Sequence, residues 1–389
     1  MHLFAEATTK FTLELFRQLR ESKDNIFYSP TSIMTALAML QLGAKGNTEQ
    51  QIEKVLQLNE TTKKTTKQAA DSHVSDEENV HEQFHKLMTQ LNKSNDAYDL
   101  KAPKSIYAAN SFQFHQTYLK DIKKYYRGNV ESLDFLCAAE ESQRKINFWV
   151  ASQTNGKIKD LFPSGSLSSN TILVLVNAVY FKGKWIHKFD EKNTTEENFW
   201  INKNTSKPVQ MMKQKNKFNF NFMEDVQAMT VELPFEDKEL SMLILLPVEI
   251  EGLKKLEEQL TADNLLERTS PENMHMTDMY LSLPRFKVEE KYDLPRPLEH
   301  MGMVDAFNPQ KADFSGMSST QGLMVSNALH KSFVEVNEEG AEASAAIGVE
   351  VNKLSVQMTK DVNCNHPFLF IIRHNSTKSI LFFGKMSSP

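Results

Sequence analysis

The chain of 389 residues is 40% hydrophobic and 24% charged, and its 25 Phe and 18 Met supply the apolar bulk of a large buried core. Its 45 basic and 50 acidic residues are spread along the chain and leave a net charge of −5, which argues against a dedicated nucleic-acid binder with one concentrated basic face. No apolar run reaches the ~18 residues of a membrane span, so no membrane partner is expected.

The N-terminal MHLFAEATTKFTLELFRQL carries Glu6 and Lys10 among its apolar residues and has neither a basic leader nor an apolar h-region. It reads as an amphipathic helix over 4–20 rather than a cleavable signal. Next, Ser29 is a good N-cap and Pro30 a good first helical residue. The helix that follows, 32–42, is apolar on nearly every side and stops at Gly43; a helix apolar all round is a buried one.

Residues 60–79 are polar, with Thr and Lys first and acids last, and read as a flexible surface loop. A helix resumes over 80–91. It contains His81-Glu82-Gln83-Phe84-His85, which matches H-E-x-x-H and could set two imidazoles on one face around zinc. No third ligand is evident in the sequence, so the metal reading is the weaker one and an ordinary helical turn the stronger. No cofactor is expected.

Within 143–162, Ile146, Trp149, Val150 and Gln153 lie on one helical stripe, and Asn155-Gly156 ends the helix. TILVLVNAVYFKGKW (171–185) is β-branched-rich and apolar on both faces, which predicts a central strand covered on both sides. Asn177 in its middle needs hydrogen-bond partners, since an unpaired buried amide costs ~1–3 kcal/mol. Beyond it, VELPFEDKELSMLILLP predicts a hairpin about 236–238, 252–268 a helix, MYLSLPRFKVEE a strand and LPRPLEHMGMVDAF a short helix. LHKSFVEVNEE alternates as a strand, and PFLFIIR and SILFFGK form a hairpin across 374–378. Neither a repeat nor a linker separates two cores, so the reading is one α+β domain over 1–389.

The stretch 338–363 stands apart. Ala341, Ala343, Ala345, Ile347, Val349 and Val351 share one parity, and Glu342, Ser344, Ala346, Gly348, Glu350 and Asn352 the other. A period of two marks a strand with one buried face. Yet Ala and Gly are poor strand formers, so the segment is written like a strand but weakly committed to being one. Catalytic motifs are missing: there is no G-x-S-x-G elbow, P-loop or G-x-G-x-x-G. The two cysteines, Cys137 and Cys364, make no disulfide framework and suit a reducing compartment. Cys364, just before an apolar strand, reads as a passive thiol.

NIFYSPTSI (25–33), INFWVASQTNGKI (146–158), LVLVNAVYFKGKW (173–185), LPRF (283–286), MGMVDAF (301–307), DFSGM (313–317), LHKSFVEVNEEGAEASAA (329–346) and HPFLFII (366–372) resemble serpin signatures, in family order and over essentially the whole chain. The polar loop and the C-terminal SSP resemble the intracellular, ovalbumin-like (clade B) branch, and within it the squamous cell carcinoma antigen serpins.

The resemblance implies the serpin fold: a large central mixed β-sheet, two smaller sheets, surrounding helices and an exposed reactive-centre loop. It implies no enzyme but a monomeric, cytoplasmic protease inhibitor, with unconventional release as a further route. Glu339, Gly340, Ala341, Glu342, Ala343, Ser344, Ala345 and Ala346 correspond to the hinge of that loop. Fourteen residues on from Gly340 lies Leu354, before the scissile bond, with Ser355 after it; alternative cuts lie at Lys353 or toward Met358. Ser29, Ser32, Asn177 and His330 match the shutter beneath the sheet, and Trp185 the breach. The implied partner is a target protease held as a covalent acyl complex. It is expected to be a chymotrypsin-like serine protease, with papain-like cysteine proteases as a second class. The alternative on the same fold is a non-inhibitory binding or chaperone-like protein.

Overall fold

The computed structural model describes residues 2–58, 79–93, 96–339 and 358–389. Among these, the strands form two sheets. The six-stranded sheet runs β11 (Phe286–Asp293), β12 (Val325–Val336), β5 (Leu173–Gly183), β3 (Lys104–Ala109) and β4 (Asn129–Leu133), with β2 (Tyr98–Lys101) on the far stretch of β5. It is mixed: β12–β5 and β3–β4 are parallel, the other pairs antiparallel.

The nine-stranded sheet runs β1 (Ile26–Tyr28), β15 (Ser379–Met386), β14 (Phe368–His374), β9 (Leu240–Pro247), β8 (Ala228–Pro234), β7 (Thr205–Met223), β10 (His275–Pro284) and β13 (Lys360–Asn363). Its ninth strand, β6 (Thr195–Asn202), pairs with β7. The 19-residue β7 joins two groups of strands into this one sheet, pairing with β6 and β10 along most of its length and with β8 at its end.

Strand β5 is covered on both faces, as its sequence predicts. Val174, Val176, Ala178 and Tyr180 pack into a cluster with Phe135, Ile146 and Val150 of α6 (Phe135–Gln153). Leu173, Leu175, Val179 and Phe181 belong to the larger core on the other side. Asn177 has the parity of that second face. It meets α2 (Pro30–Gly43), whose residues are almost all buried.

Ser29 caps α2 by accepting the Ser32 N–H, and Pro30 opens it, as read from sequence. Gly43 closes it for a different reason from the expected one. The C-cap is Ala44, and a Cβ at Gly43 would fall 2.1 Å from Cγ of Met317. Close packing, not a left-handed turn, requires glycine there.

The remaining helices are α1 (His2–Leu19), α3 (Gly46–Val55), α4 (Val80–Leu91), α5 (Gln116–Tyr126), α7 (Leu253–Gln259), α8 (Ala262–Arg268) and α9 (Pro295–His300). The expected single helix over 252–268 is two, because Thr261 and Asn264 form a capping box that starts a new helix at Ala262. The expected strand MYLSLPRFKVEE is also two. β10 ends at Pro284, β11 begins at Phe286, and the two lie in different sheets with Arg285 at the joint.

Candidate functional site

Across the six-stranded sheet, four residues stand in one transverse row. Tyr292 on β11 pairs with His330 on β12, His330 with Asn177 on β5, and Asn177 with Lys104 on β3. Directly paired residues present their side chains on the same face, so the row sets a polar line inside an otherwise apolar interior.

Its centre is fully hydrogen-bonded. The Asn177 Nδ2 donates to Ser32 Oγ at 2.6 Å and to the Ser32 carbonyl at 3.2 Å. Nε2 of His330 accepts the Ser29 backbone N–H at 3.0 Å, so that nitrogen carries no proton. Nδ1 therefore holds the proton and donates it to Asn177 Oδ1. Burial lowers the His330 pKa to about 3, which keeps the imidazole neutral and this tautomer in place. The Tyr292 ring stacks on His330 at 6.5 Å and its hydroxyl accepts the Phe27 N–H at 3.0 Å. The Ser332 hydroxyl donates to the Phe27 carbonyl at 2.6 Å. Ser29, Ser32, Asn177 and His330, four residues from three separate sequence segments, are thus brought into one network that pins α2 against the β5–β12 seam.

A second cluster closes one end of that seam. Trp185, just beyond β5, donates its backbone N–H to the Glu339 carbonyl at 3.3 Å and its indole N–H to the Asn337 carbonyl at 2.9 Å. Its ring stacks on Phe235 at 4.7 Å. Glu338 is only 5% exposed; it accepts from Arg285 Nε at 3.0 Å, from Arg285 Nη2, and from the Thr194 hydroxyl at 2.7 Å. Burial alone would raise the Glu338 pKa. The hydrogen bonds from Arg285, Thr194 and its own backbone outweigh burial and hold the carboxyl below its usual value. Glu339, more exposed, pairs with Lys182.

Of the other expected site residues, Gly340, Ala341, Glu342, Ala343, Ser344, Ala345 and Ala346, together with Lys353, Leu354 and Ser355, lie outside the described residues. Met358 is 87% exposed and stands two residues before β13. His81 and His85 both turn to the end of α5: Nδ1 of His81 meets the Tyr126 hydroxyl, and Nδ1 of His85 lies 3.1 Å from the Tyr125 carbonyl oxygen. Burial lowers His81 to about 4 against the opposing effect of Asp121. Among the described residues no three His, Cys, Asp or Glu side chains are placed to hold a metal. Cys364 is fully buried, and burial pushes its thiol up to about 12.

The sequence reading missed Tyr292, Ser332, Thr194, Arg285 and the role of Glu338. Arg285 carried a usable signal, a charged residue directly after a proline between two apolar strands. Thr194 and Ser332 carried none, because single hydroxyl residues acquire meaning only through spatial neighbours.

The family model described as Serpin (serine protease inhibitor) matches residues 6–389. The chain is 57% identical to human Serpin B4 and 56% identical to human Serpin B3, in each case across 100% of both chains. Among solved structures it is similar to uncleaved ovalbumin, with 37% identity, a TM-score of 0.89 and 99% and 100% of the two chains covered. It is also similar to a tumour-suppressing serpin, with 35% identity, a TM-score of 0.88 and 100% of each chain covered.

Proposed function

Since the chain belongs to the serpin family, we propose that it inhibits proteases as a suicide substrate, by cleavage and insertion of the segment that follows Glu339. The observation that carries this reading is the β5–β12 seam. These two strands are adjacent and parallel over Leu173–Phe181, while their outer neighbours β3 and β11 run antiparallel to them. A chain that leaves β12 at its end and folds back must run antiparallel to β12, and therefore to β5. Placed between them, it replaces one parallel pair with two antiparallel ones, the slightly more stable ladder.

The composition of the segment supports the same reading. Its apolar residues from Ala341 to Val351 share one parity, and Glu342 and Glu350 share the other, so insertion need not bury an unpaired carboxylate. Insertion of this kind is the family's own mode of strand addition and strain release. In the chemical step, the nucleophile of the target attacks the Leu354 carbonyl carbon. The Leu354–Ser355 bond breaks, Ser355 leaves as a free amine, and the protease stays bound as an acyl-enzyme on Leu354. Leu354 suits a chymotrypsin-like serine protease with an apolar primary pocket; papain-like enzymes form the second target class. Both cysteines are free, which fits action in a reducing compartment such as the cytoplasm.

Incubation with chymotrypsin-like and with papain-like proteases, followed by denaturing electrophoresis, tests the proposal. The expected products are a covalent complex that survives denaturant with the serine enzyme, and a C-terminal fragment beginning at Ser355. Cleavage with neither complex nor lasting inhibition would overturn it in favour of a non-inhibitory binding protein on the same fold.

A further inference from the structure

The polar row that crosses the sheet ends at Lys104, and among the described residues no carboxylate meets it there. Lys104 is buried, and its ammonium donates to the Ala102 carbonyl oxygen at 2.7 Å. Among the described residues it makes no ion pair. An ammonium has three donors and normally keeps them satisfied, and burial drives its pKa down to about 8. A buried cation with one carbonyl partner is costly to maintain for structure alone.

Lys104 is not sealed in. It lines a cleft of about 610 Å³ bounded by the end of α4, the β2–β3 connection, the turn after α5 and the last turns of α6. Lys93, Lys101 and Arg127 line the same cleft, and the single carboxylate among its described lining residues, Asp99, lies 3.5 Å from Lys101. Arg127 holds a left-handed backbone conformation, φ 49°, at the C-cap of α5, and its guanidinium has no partner among the described residues. Trp149 supplies an aromatic wall, its ring edge-on to Tyr107.

We propose that this cleft binds a small phosphorylated anion, with Lys104 at its floor, Arg127 and Lys93 at its rim and Trp149 against the uncharged part of the ligand. Arg and Lys together are the donor set that phosphate oxygens select, the guanidinium by a two-point fork and the ammonium as a point charge. The cleft is large enough for a nucleoside polyphosphate, and several donors converging in a concave site are what small-ligand pockets provide. The assignment does not rest on protease inhibition: of the cleft's residues only Lys104 belongs to the polar row, as the β3 neighbour of Asn177, and it makes no hydrogen bond to the seam network.

Titration calorimetry on the full chain with inorganic triphosphate and with ATP, at ~0.15 M salt to suppress loose surface attraction, tests it. Both probes should bind saturably, raise the thermal midpoint through linkage and quench tryptophan fluorescence. Tighter binding of ATP than of triphosphate would assign the Trp149 wall to a nucleoside; equal binding would make the phosphate groups the whole determinant. Lys104→Met and Arg127→Ala should each weaken binding ~10-fold or more. Lys254→Ala, an exposed lysine outside the cleft, should leave it unchanged. If Lys104→Met does not fold, the exposed Arg127 carries the test alone. Absence of saturable binding up to ~10 mM, or equal weakening by Lys254→Ala, would overturn the proposal.

Discussion

The imidazole of His330 donates its one N–H to Asn177 across the parallel seam of the six-stranded sheet, while its other nitrogen accepts the backbone N–H of Ser29. Both strands of the seam and the start of α2 thereby depend on one neutral histidine.

That dependence sets a pH prediction. His330 has a folded pKa of about 3, against ~6.5 in the unfolded chain. Between those values the unfolded chain binds the proton and the folded chain does not, so stability is lost as pH falls from about 6.5 toward 3. The group contributes up to ~1.4 kcal/mol per pH unit in that window. His81, His187, His366 and His374 are also lowered, chiefly by burial, and add to the total. Urea midpoints measured from pH 7.5 to 4.5 should therefore fall in the wild type, and less steeply, by about one proton, in His330→Gln. Parallel slopes would show that His330 does not titrate as described.

Asn177→Ala removes the acceptor for His330 and the donor to Ser32 in one step. The buried His330 N–H and the Ser32 hydroxyl and carbonyl all lose their partner, at a cost of ~2–4 kcal/mol. A urea midpoint shift equivalent to less than ~1 kcal/mol would mean that the network relaxes around the loss.

At the Trp185 end, the two ion pairs differ in kind. Arg285→Ala leaves the buried Glu338 carboxylate with only Thr194 and its own backbone N–H, with no cation beside it, and should destabilise by ~2–4 kcal/mol. Lys182→Ala removes a pair whose carboxylate is 59% exposed, and should change stability by under ~1 kcal/mol. Equal effects of the two variants on the thermal midpoint would contradict this ranking.

Ala341→Arg places a charge on the parity assigned to the buried face of an inserted strand. Cleavage by a chymotrypsin-like protease should continue, while the covalent complex on a denaturing gel should disappear. Inhibition as strong as wild type would reverse the parity assignment.

Much of this was legible because local pattern and burial agree. The two-sided apolar run of β5, the all-round apolar α2 and the closing β14–β15 hairpin each have a periodicity that tertiary packing preserves. Asn177 announced itself by being polar where nothing polar is cheap, whereas His330 was named only through the resemblance to serpin signatures. The long β7 was illegible, because KQKNKFNFNF mixes charged and aromatic residues on a strand whose neighbours change along its length. The break at Arg285 went unread although Pro284-Arg285 marks it, because the backbone stays extended on both sides as it passes between the two sheets. Clusters such as Arg285, Thr194 and Glu338 exist only once distant segments are brought together.

The Trp185–Glu339 hydrogen bond also decides how the molecule meets mechanical force. The chain leaves β12 beside Trp185, and β5 and β12 point the same way. Tension applied beyond Glu339 and directed across the sheet would reach the Trp185 contacts first, then the ladder one rung at a time. His330 lies nine residues back from Glu339, so at ~3.3 Å per residue the polar centre is ~30 Å behind the loaded end. Peeling of this sort breaks bonds in sequence rather than together, and a pulling experiment should register two rips, a small one at the tryptophan and a later, larger one when Asn177 lets go.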